Sequence, residues 1–162
     1  MLKLGEVAGK SLLDVGAGPL AIIAARDFGC EVTTIDISKS ALEAARRKAA
    51  EANLTDRIKF DQQDATHLPY PDESFDVAVS YAAAHHIPMA RRSRFLSELF
   101  RVVTETVIIA DYTSAEFHSV HPDGDYELVA LDWLEQALRR LGKTQTYRGT
   151  QMNVCICHRE KR

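Results

Sequence analysis

The stretch Ser11-Leu-Leu-Asp-Val-Gly-Ala-Gly-Pro-Leu-Ala-Ile-Ile-Ala-Ala25 decides the fold. Its first half is a short apolar run, which is too brief for a helix and predicts a buried parallel strand. Its second half is almost wholly apolar and rich in helix formers, and Gly16-Ala-Gly18 separates the two. Glycine suits this turn because the backbone bends sharply and a ligand can lie against it. The stretch predicts the strand, turn and helix that open a nucleotide-binding βαβ unit, with helix-start amides that favour an anionic group.

A second predicted strand, Cys30-Glu-Val-Thr-Thr-Ile35, ends in an acid. This residue, Asp36, follows Asp14 by 22 positions (36 − 14). In a βαβ unit, an acid at the end of the second strand binds the ribose hydroxyl pair. The alternative is an aspartate that caps a turn or helix. The glycine turn upstream favours ribose binding.

The same residues resemble a known family. Leu-Asp-Val-Gly-Ala-Gly and Thr-Ile-Asp-Ile-Ser are similar to the first and second motifs of class I S-adenosylmethionine-dependent methyltransferases. Asp14, two residues before the first glycine, is typical of that pattern, although the family's common third glycine is replaced by Leu20. The resemblance implies that S-adenosylmethionine is the cofactor and that Asp14 orients its methionine amino group. It also implies cofactor contacts at Gly16, Ala17, Gly18, Asp36 and Ile37.

Two later strands extend the resemblance. The segment Gln62-Gln-Asp64-Ala65 follows a short third strand, and family members commonly place an acid there against the adenine amino group. The resemblance therefore implies adenine binding by Asp64 and the Ala65 amide; the alternative is that Asp64 only caps a turn. Phe75-Asp-Val-Ala-Val79 is similar to the family's fourth strand, after which Ser80 and Tyr81 are expected to contact the cofactor.

The segment after the fourth strand points to the methyl acceptor. Residues 80–88 resemble the histidine-containing connection of small-molecule methyltransferases related to ubiquinone and menaquinone biosynthesis. The segment lacks the (Asp/Asn/Ser)-Pro-Pro-aromatic tetrad of many nucleic-acid amino-methyltransferases, which disfavours a nucleic-acid acceptor. The candidate catalytic residues are His85 and His86, with Asp111 at the end of the fifth strand. The alternative is that one histidine caps the next helix while the other packs against a loop.

The expected fold is an α/β, Rossmann-like, doubly wound sheet. We expect seven mostly parallel strands with an antiparallel last strand, helices on both faces, and one domain over residues 1–162. Leucine spacing predicts a helix over residues 128–141, and residues 113–124 are expected to form a polar loop over the site. The helix after Pro88 is expected to point Arg91, Arg92, Arg94 and Arg101 largely outward.

Composition restricts the setting of the protein. No apolar run is long enough to span a membrane, and the N-terminus lacks a secretory pattern. The odd set of three cysteines predicts reduced thiols in a cytoplasmic protein. Cys155, Cys157 and His158 are too few ligands for a metal, and His118, His121 and Asp123 lie in an expected loop. We expect no metal site.

Three other functions stay open. Residues 139–162 hold seven basic residues and one acid, a net charge of +6 (7 − 1) against −3 for the whole chain. This basic end could dock an RNA or protein substrate. The chain could also be a non-catalytic cofactor-binding module that needs a partner, with a homo-oligomer completing the site. The last alternative is a nicotinamide-binding domain, which Asp14 and the predicted C-terminal strands disfavour.

Overall fold

The computed structural model describes residues 1–160 and contains one seven-stranded sheet. Lys161 and Arg162, which belong to the predicted basic end, lie outside the described residues. The strands are β1 (Ser11–Val15), β2 (Glu31–Asp36), β3 (Ile58–Gln62), β4 (Phe75–Tyr81), β5 (Val103–Tyr112), β6 (Lys143–Arg148) and β7 (Met152–His158). The helices are α1 (Leu20–Phe28), α2 (Lys39–Glu51), α3 (Met89–Val102), α4 (Ser114–Val120) and α5 (Leu131–Arg139), with a 3₁₀ turn at Ala84–His86.

The strand order confirms the predicted fold. It runs β3-β2-β1-β4-β5-β7-β6, with parallel pairs up to β5 and with β7 antiparallel to both of its neighbours. The order reverses between β1 and β4, and ligands of doubly wound sheets bind in the crevice beyond the strand ends at that point. The topology therefore places the site at the carboxyl ends of β1, β2 and β4.

Alternate side chains of the sheet enter two cores. Leu12 belongs to the core beneath α1, where small residues such as Ala21 and Ala24 allow the helix to pack closely. Leu13 points to the opposite core, which α3 and α5 cover with larger residues such as Phe95. Since both faces are covered, the central strands are apolar throughout, as parallel strands generally are.

The starts and ends of the first two helices follow local chemistry. Helix α1 ends at Gly29, whose left-handed backbone (φ 65°) lets its amide bond a carbonyl of the last turn. Helix α2 is capped by Ser38, whose hydroxyl accepts a hydrogen bond from the Ala41 amide at 3.3 Å.

Two predictions about the C-terminal half are wrong. Residues 114–120 form helix α4 rather than a loop, because the Thr113 hydroxyl caps the Glu116 amide and Phe117 packs inward. The leucine-patterned helix begins at Leu131 rather than at residue 128, because the Leu128 carbonyl accepts a hydrogen bond from Arg92 outside the helix.

Arg92 itself is a third correction. We expected an outward side chain, but only 3% of Arg92 is exposed. Its guanidinium donates to the backbone carbonyls of Ile87, Glu127 and Leu128. A charged group is tolerated at this depth because three carbonyl oxygens satisfy its N–H groups. Arg92 therefore fastens the segment before α5 to the start of α3. Arg91 and Arg94 are exposed as expected.

None of the helices within residues 1–160 combines the length and apolar character that crossing a bilayer requires.

Candidate active site

The glycine turn lies against the segment that follows β4. Gly16 has a left-handed backbone (φ 98°), and a Cβ there would approach the Ala83 Cβ to 3.0 Å. Both constraints require glycine at this position. Around Gly18, by contrast, a Cβ would meet nothing within 4 Å. The residue before helix α1, Pro19, makes no side-chain hydrogen bond to the helix. The first amides of α1 can therefore bind another acceptor.

Asp36 fixes the shape of this turn. One carboxylate oxygen accepts a hydrogen bond from the Ala17 amide at 3.0 Å, and the other accepts from the Ser38 amide at 2.8 Å. The side chain thus joins the turn after β1 to the start of α2. Each carboxylate oxygen can accept a further hydrogen bond, so Asp36 can still bind a hydroxyl pair.

A cavity of about 180 Å³ opens beside Asp36. Ile37 is 72% exposed at this end of the sheet. A flat aromatic ring lying against Ile37 would remove that surface from water. Six predicted site residues line the cavity: Gly16, Asp36, Ile37, Asp64, Ala65 and His86.

Asp64 faces the same cavity as an ion paired with Arg91. Its carboxylate accepts from the Thr66 amide and hydroxyl at 2.8 Å each and from the Arg91 guanidinium at 2.6 Å. Partial burial opposes ionisation, but these hydrogen bonds outweigh it and lower the pKa of Asp64 to about 2. Arg91 is a site residue that the sequence reasoning missed, since helix periodicity marks it only as exposed.

Asp14 is a buried acid with one unsatisfied oxygen. Only 1% of the residue is exposed, and its Oδ2 accepts from the Thr34 hydroxyl at 2.9 Å. Its Oδ1 has no hydrogen-bond partner, and the same is true of the buried Ser80 hydroxyl. Burial raises the pKa of Asp14 to about 7, and the nearby Asp36 charge adds to the rise. Unpaired buried polar atoms are rare, so Asp14 Oδ1 and the Ser80 hydroxyl are both free to hydrogen-bond to a ligand.

Two of the three candidate catalytic residues, His85 and Asp111, form a hydrogen-bonded pair. The Asp111 carboxylate lies 2.7 Å from His85 Nδ1 and also accepts from the His85 and Tyr112 amides. Since His85 is 2% exposed, its ring is held in one orientation inside the protein. Its Nε2 lies 3.1 Å from His121 Nε2, the side chain that follows α4.

His86 is the member of this group that reaches the cavity. The residue is exposed, lines the cavity beside Asp36, and stacks obliquely on Tyr126 with ring centroids 4.3 Å apart. Partial burial and the neighbouring imidazoles lower the pKa of His86 below its ordinary value of 6.5. His86 is therefore neutral at pH 7 and can accept a proton.

The fold groups the histidines differently from the sequence prediction, which considered His118 and His121 together. His118 points away from the group, with Nδ1 2.6 Å from the Ser114 carbonyl. His121 joins His85 and His86 instead. Phe117 and His121 are four residues apart, a spacing that predicts neighbours on one face of a helix. The expectation of a loop over residues 113–124 set this pattern aside.

A second cavity lies on the α1 face of the sheet. Its volume is about 550 Å³, and Tyr81, the last residue of β4, is among the residues that line it. Apolar side chains dominate its walls, including Leu20, Ile23 and Val154. Of the predicted cofactor residues, Tyr81 is the one that lines this apolar cavity rather than the cavity beside Asp36.

Comparison with known proteins defines the class. A family model described as a methyltransferase domain matches residues 12–106, more than half of the chain. The chain therefore belongs to the methyltransferase domain family and is of the class I S-adenosylmethionine-dependent type, which confirms the predicted resemblance.

Two curated relatives share sequence with this chain. The 27-O-demethylrifamycin SV methyltransferase of Amycolatopsis mediterranei is 43% identical over 83 residues, which cover 50% of this chain and 30% of that protein. The demethylmenaquinone methyltransferase of Lactobacillus johnsonii is 35% identical over 105 residues, covering 62% of this chain and 42% of that protein. The chain thus spans less than half the length of these relatives.

Solved structures match the fold over nearly the whole chain. A methyltransferase from Methanococcus maripaludis, described as S-adenosylmethionine-dependent, gives a TM-score of 0.81 at 20% identity, covering 99% of this chain and 82% of that one. The magnesium protoporphyrin IX methyltransferase of Synechocystis, solved with bound cofactor, gives 0.75 at 20% identity, covering 98% and 74%. These matches show that the fold is shared.

The residues present fit S-adenosylmethionine. This cofactor carries positive charge, hydroxyls and an adenine ring, and the site offers an acceptor for each kind of group. Asp14 Oδ1 is a buried acceptor without a partner, Asp36 has acceptor capacity beside the turn, and Ile37 presents an uncovered apolar face. The fit favours S-adenosylmethionine over the nicotinamide alternative.

Proposed function

We propose that this chain is an S-adenosylmethionine-dependent methyltransferase that transfers a methyl group to a small molecule by in-line displacement. The observation that carries the proposal is the buried, half-unpaired Asp14 beside a glycine turn fastened by Asp36. A buried acid with a raised pKa is destabilising unless a cation compensates it. The family match and the printed activities of the relatives support the proposal.

Each predicted cofactor residue has a proposed role. Asp36 binds the ribose hydroxyls, and Asp64 with the Ala65 amide binds the adenine, against which Ile37 packs. Gly16, Ala17 and Gly18 allow the backbone to lie against the methionine part, whose amino group Asp14 orients. Ser80 and Tyr81 bound the site at the end of β4. When bound, S-adenosylmethionine supplies an electrophilic methyl group, and the protein holds the acceptor in line with it.

The histidine group is proposed to remove a proton from the acceptor. An oxygen or nitrogen acceptor becomes a better nucleophile when it loses its proton. His86 lines the cavity and is neutral at pH 7, so it is the proposed base. The burial of His85 and Asp111 favours a positioning role for both, because they hold the ring arrangement that supports His86.

The second cavity supports a mainly apolar small-molecule acceptor, whose reacting end is proposed to extend to the cofactor cavity that His86 lines, since no histidine within residues 1–160 lines the second cavity. Tyr81 is among the residues of this second cavity, and most of its walls are apolar. A nucleic-acid acceptor is less favoured, because Arg139 and Arg148 of the basic end pair with Glu135, and Arg159 pairs with Glu73. Strong salt dependence of RNA binding would support that alternative. A cytoplasmic location stays a prediction.

Calorimetric titration tests the cofactor. We expect S-adenosylmethionine and S-adenosylhomocysteine to bind with one site per chain and NAD not to bind. Asp36→Ala should weaken both sulfur ligands at least tenfold, since two hydroxyl hydrogen bonds are lost. Glu43→Ala, an exposed acid on the following helix, is the control and should bind as the wild type does. NAD binding instead would contradict the proposal.

Activity is tested with S-adenosylmethionine and a panel of hydroxylated apolar acceptors. Methylated product and S-adenosylhomocysteine are measured by mass spectrometry. For an accepted compound, His86→Gln should lower kcat by about 10²-fold while cofactor affinity stays unchanged. His118→Gln, on the exposed side of α4, should keep wild-type kcat. Cofactor binding without product across the panel would favour a non-catalytic module that needs a partner.

A further inference from the structure

Three imidazoles converge beside the cofactor cavity. One donor nitrogen from each of His85, His86 and His121 lies within 4.8 Å of the others. They come from two parts of the chain, since His85 and His86 lie in the 3₁₀ turn and His121 follows α4. The tertiary fold, rather than local sequence spacing, creates this group. Neither metal-ligand set considered from the sequence contained more than one of these histidines.

The spacing suits a shared metal ion. His85 Nε2 and His121 Nε2 are 3.1 Å apart. Two nitrogens bound to one tetrahedral zinc ion at 2.0–2.1 Å lie about 3.3 Å apart, close to this separation. Bringing all three donors from within 4.8 Å to that spacing requires side-chain shifts of roughly one ångström. His86 is exposed and has room for such a shift.

Asp111 prepares His85 as a ligand. The Asp111 carboxylate accepts two backbone amide hydrogen bonds, so it acts as the acceptor for His85 Nδ1–H as well. The proton therefore lies on Nδ1, and Nε2 carries the lone pair that faces His121. A carboxylate that fixes the tautomer and orientation of a ligating histidine is the usual outer partner of metal-bound imidazole.

Aromatic rings and a second imidazole surround His85. Phe117 and Tyr126 stand around the His85 ring, with centroids 5.7 and 5.9 Å away. A buried His85 without a metal has one neutral partner for its Nε2, namely His121. One proton joins this pair as an N–H···N hydrogen bond, whereas a metal ion would accept the lone pairs of His85, His121 and His86 together. Neutral imidazole donors suit zinc, copper, nickel and iron.

We propose that His85, His86 and His121 form a binding site for one transition-metal ion of the zinc class. Three protein ligands leave a fourth position, and His86, one of the three, lines the cofactor cavity. The binding site stands independently of methyl transfer. Its use rests on the proposed function: an acceptor hydroxyl on the fourth position loses its proton to water more readily, because the metal stabilises the resulting oxyanion. Coordination then replaces proton acceptance by a free His86.

Metal binding is measured directly on the full chain after chelator treatment. Zn²⁺ is titrated in competition with a chromophoric chelator, and Co²⁺ is followed by its visible absorption, which is intense for tetrahedral coordination. We expect one ion per chain. His121→Ala and His86→Ala should each weaken Zn²⁺ binding at least tenfold, and neither side chain is fully buried, so both variants should fold. Asp111→Asn should weaken it 10- to 100-fold.

His118→Ala is the matched control, since His118 lies on α4, three residues before His121, but outside the group. It should bind Zn²⁺ as the wild type does. Loss of affinity in His118→Ala equal to that in His121→Ala, or no tight one-to-one binding in the wild type, would overturn the proposal. S-adenosylhomocysteine affinity, measured in parallel without metal, should be unchanged in His121→Ala. The proposed metal site can therefore be refuted while the proposed cofactor binding stands, and the reverse also holds.

Discussion

At the scale of single residues, Asp14 couples stability to cofactor binding. The unfolded chain releases this proton near the ordinary value of 3.8, whereas the folded chain keeps it up to a pKa of about 7. Between these values the folded state binds more protons, so the free energy of unfolding falls as pH rises. A cationic ligand reverses this loss because it favours the ionised carboxylate. The same residue therefore weakens the free protein and stabilises its complex.

Asp14→Asn separates these two effects. The variant cannot ionise, so its stability between pH 4 and pH 7 should lack the decline contributed by this group. Relative to wild type, we expect it to gain roughly 1–3 kcal/mol on moving from pH 5 to pH 8. Urea unfolding midpoints at both pH values measure this difference. S-adenosylmethionine affinity should fall at least tenfold in the same variant. Parallel pH profiles for the two proteins would contradict the assignment.

The two glycines of the turn should respond differently to alanine. Gly16→Ala introduces a Cβ at φ 98° and 3.0 Å from the Ala83 Cβ, so we expect a loss of about 1–3 kcal/mol in unfolding free energy. Gly18→Ala adds a Cβ in open space, and its stability should change by no more than about 0.5 kcal/mol. Denaturant unfolding of both variants measures the contrast. Equal losses would show that the turn has another constraint.

The sequence alone predicted some residues of the candidate site but not all of them. Asp14, Gly16 and Asp36 belong to one βαβ unit, where spacing along the chain fixes their positions relative to the strand ends. Their roles stay predictions, although the structure gives each an environment that supports the role. His121 joins a histidine 36 residues earlier in the chain, and no local period reports such a contact.

At the scale of elements, Arg92 connects α3 to the segment that precedes α5. It is the one arginine of α3 whose side chain is buried, and three backbone carbonyls depend on it. Helix periodicity marked it as outward because a charged residue beside other charged residues predicts a solvated face. The sequence could not show that a long connection would return over this helix. The same connection shortened α5 at its start.

Removal of the Arg92 guanidinium leaves those carbonyls without donors. Arg92→Met should lower the free energy of unfolding by about 2–4 kcal/mol, because buried unpaired carbonyls are costly. Since the connection carries Tyr126 and follows His121, hydrogen exchange in residues 121–130 should also increase. Arg47→Met, on the exposed face of α2, is the control and should change stability by less than about 0.5 kcal/mol. Unchanged exchange in that segment would contradict the connecting role.

At the scale of the whole molecule, the two cavities have no lining residue in common among the described residues. The cofactor cavity lies over β1 and β2 and contains Asp36 and Asp64. The apolar cavity lies against α1, β5 and β7, with Tyr81 at its edge. The topology was predictable because alternating strand and helix patterns permit few arrangements. The apolar cavity was not, since its walls combine the first three residues of the chain with β7.

Cofactor binding should therefore stabilise the whole folded chain. A ligand at 100 times its Kd adds about 2.7 kcal/mol to the free energy of unfolding. For a domain of this size, each kcal/mol raises Tm by roughly 2–4 °C, so S-adenosylhomocysteine should raise Tm by roughly 5–11 °C. In Asp36→Ala, whose affinity should be at least tenfold lower, the shift at the same ligand concentration should fall to about half or less. Differential scanning calorimetry provides both values.

The same calorimetry addresses whether a second copy completes the site. If a homo-oligomer holds the folded state together, the unfolding midpoint rises with protein concentration even without ligand, because association favours the folded chains. A rise across a 100-fold range of concentration, with a larger increase when S-adenosylhomocysteine is present, would support the homo-oligomer that the sequence leaves open. Sedimentation velocity over the same range gives the size of the species. A midpoint independent of protein concentration, with a single monomeric species and full ligand shift, would show that one chain forms the complete cofactor site.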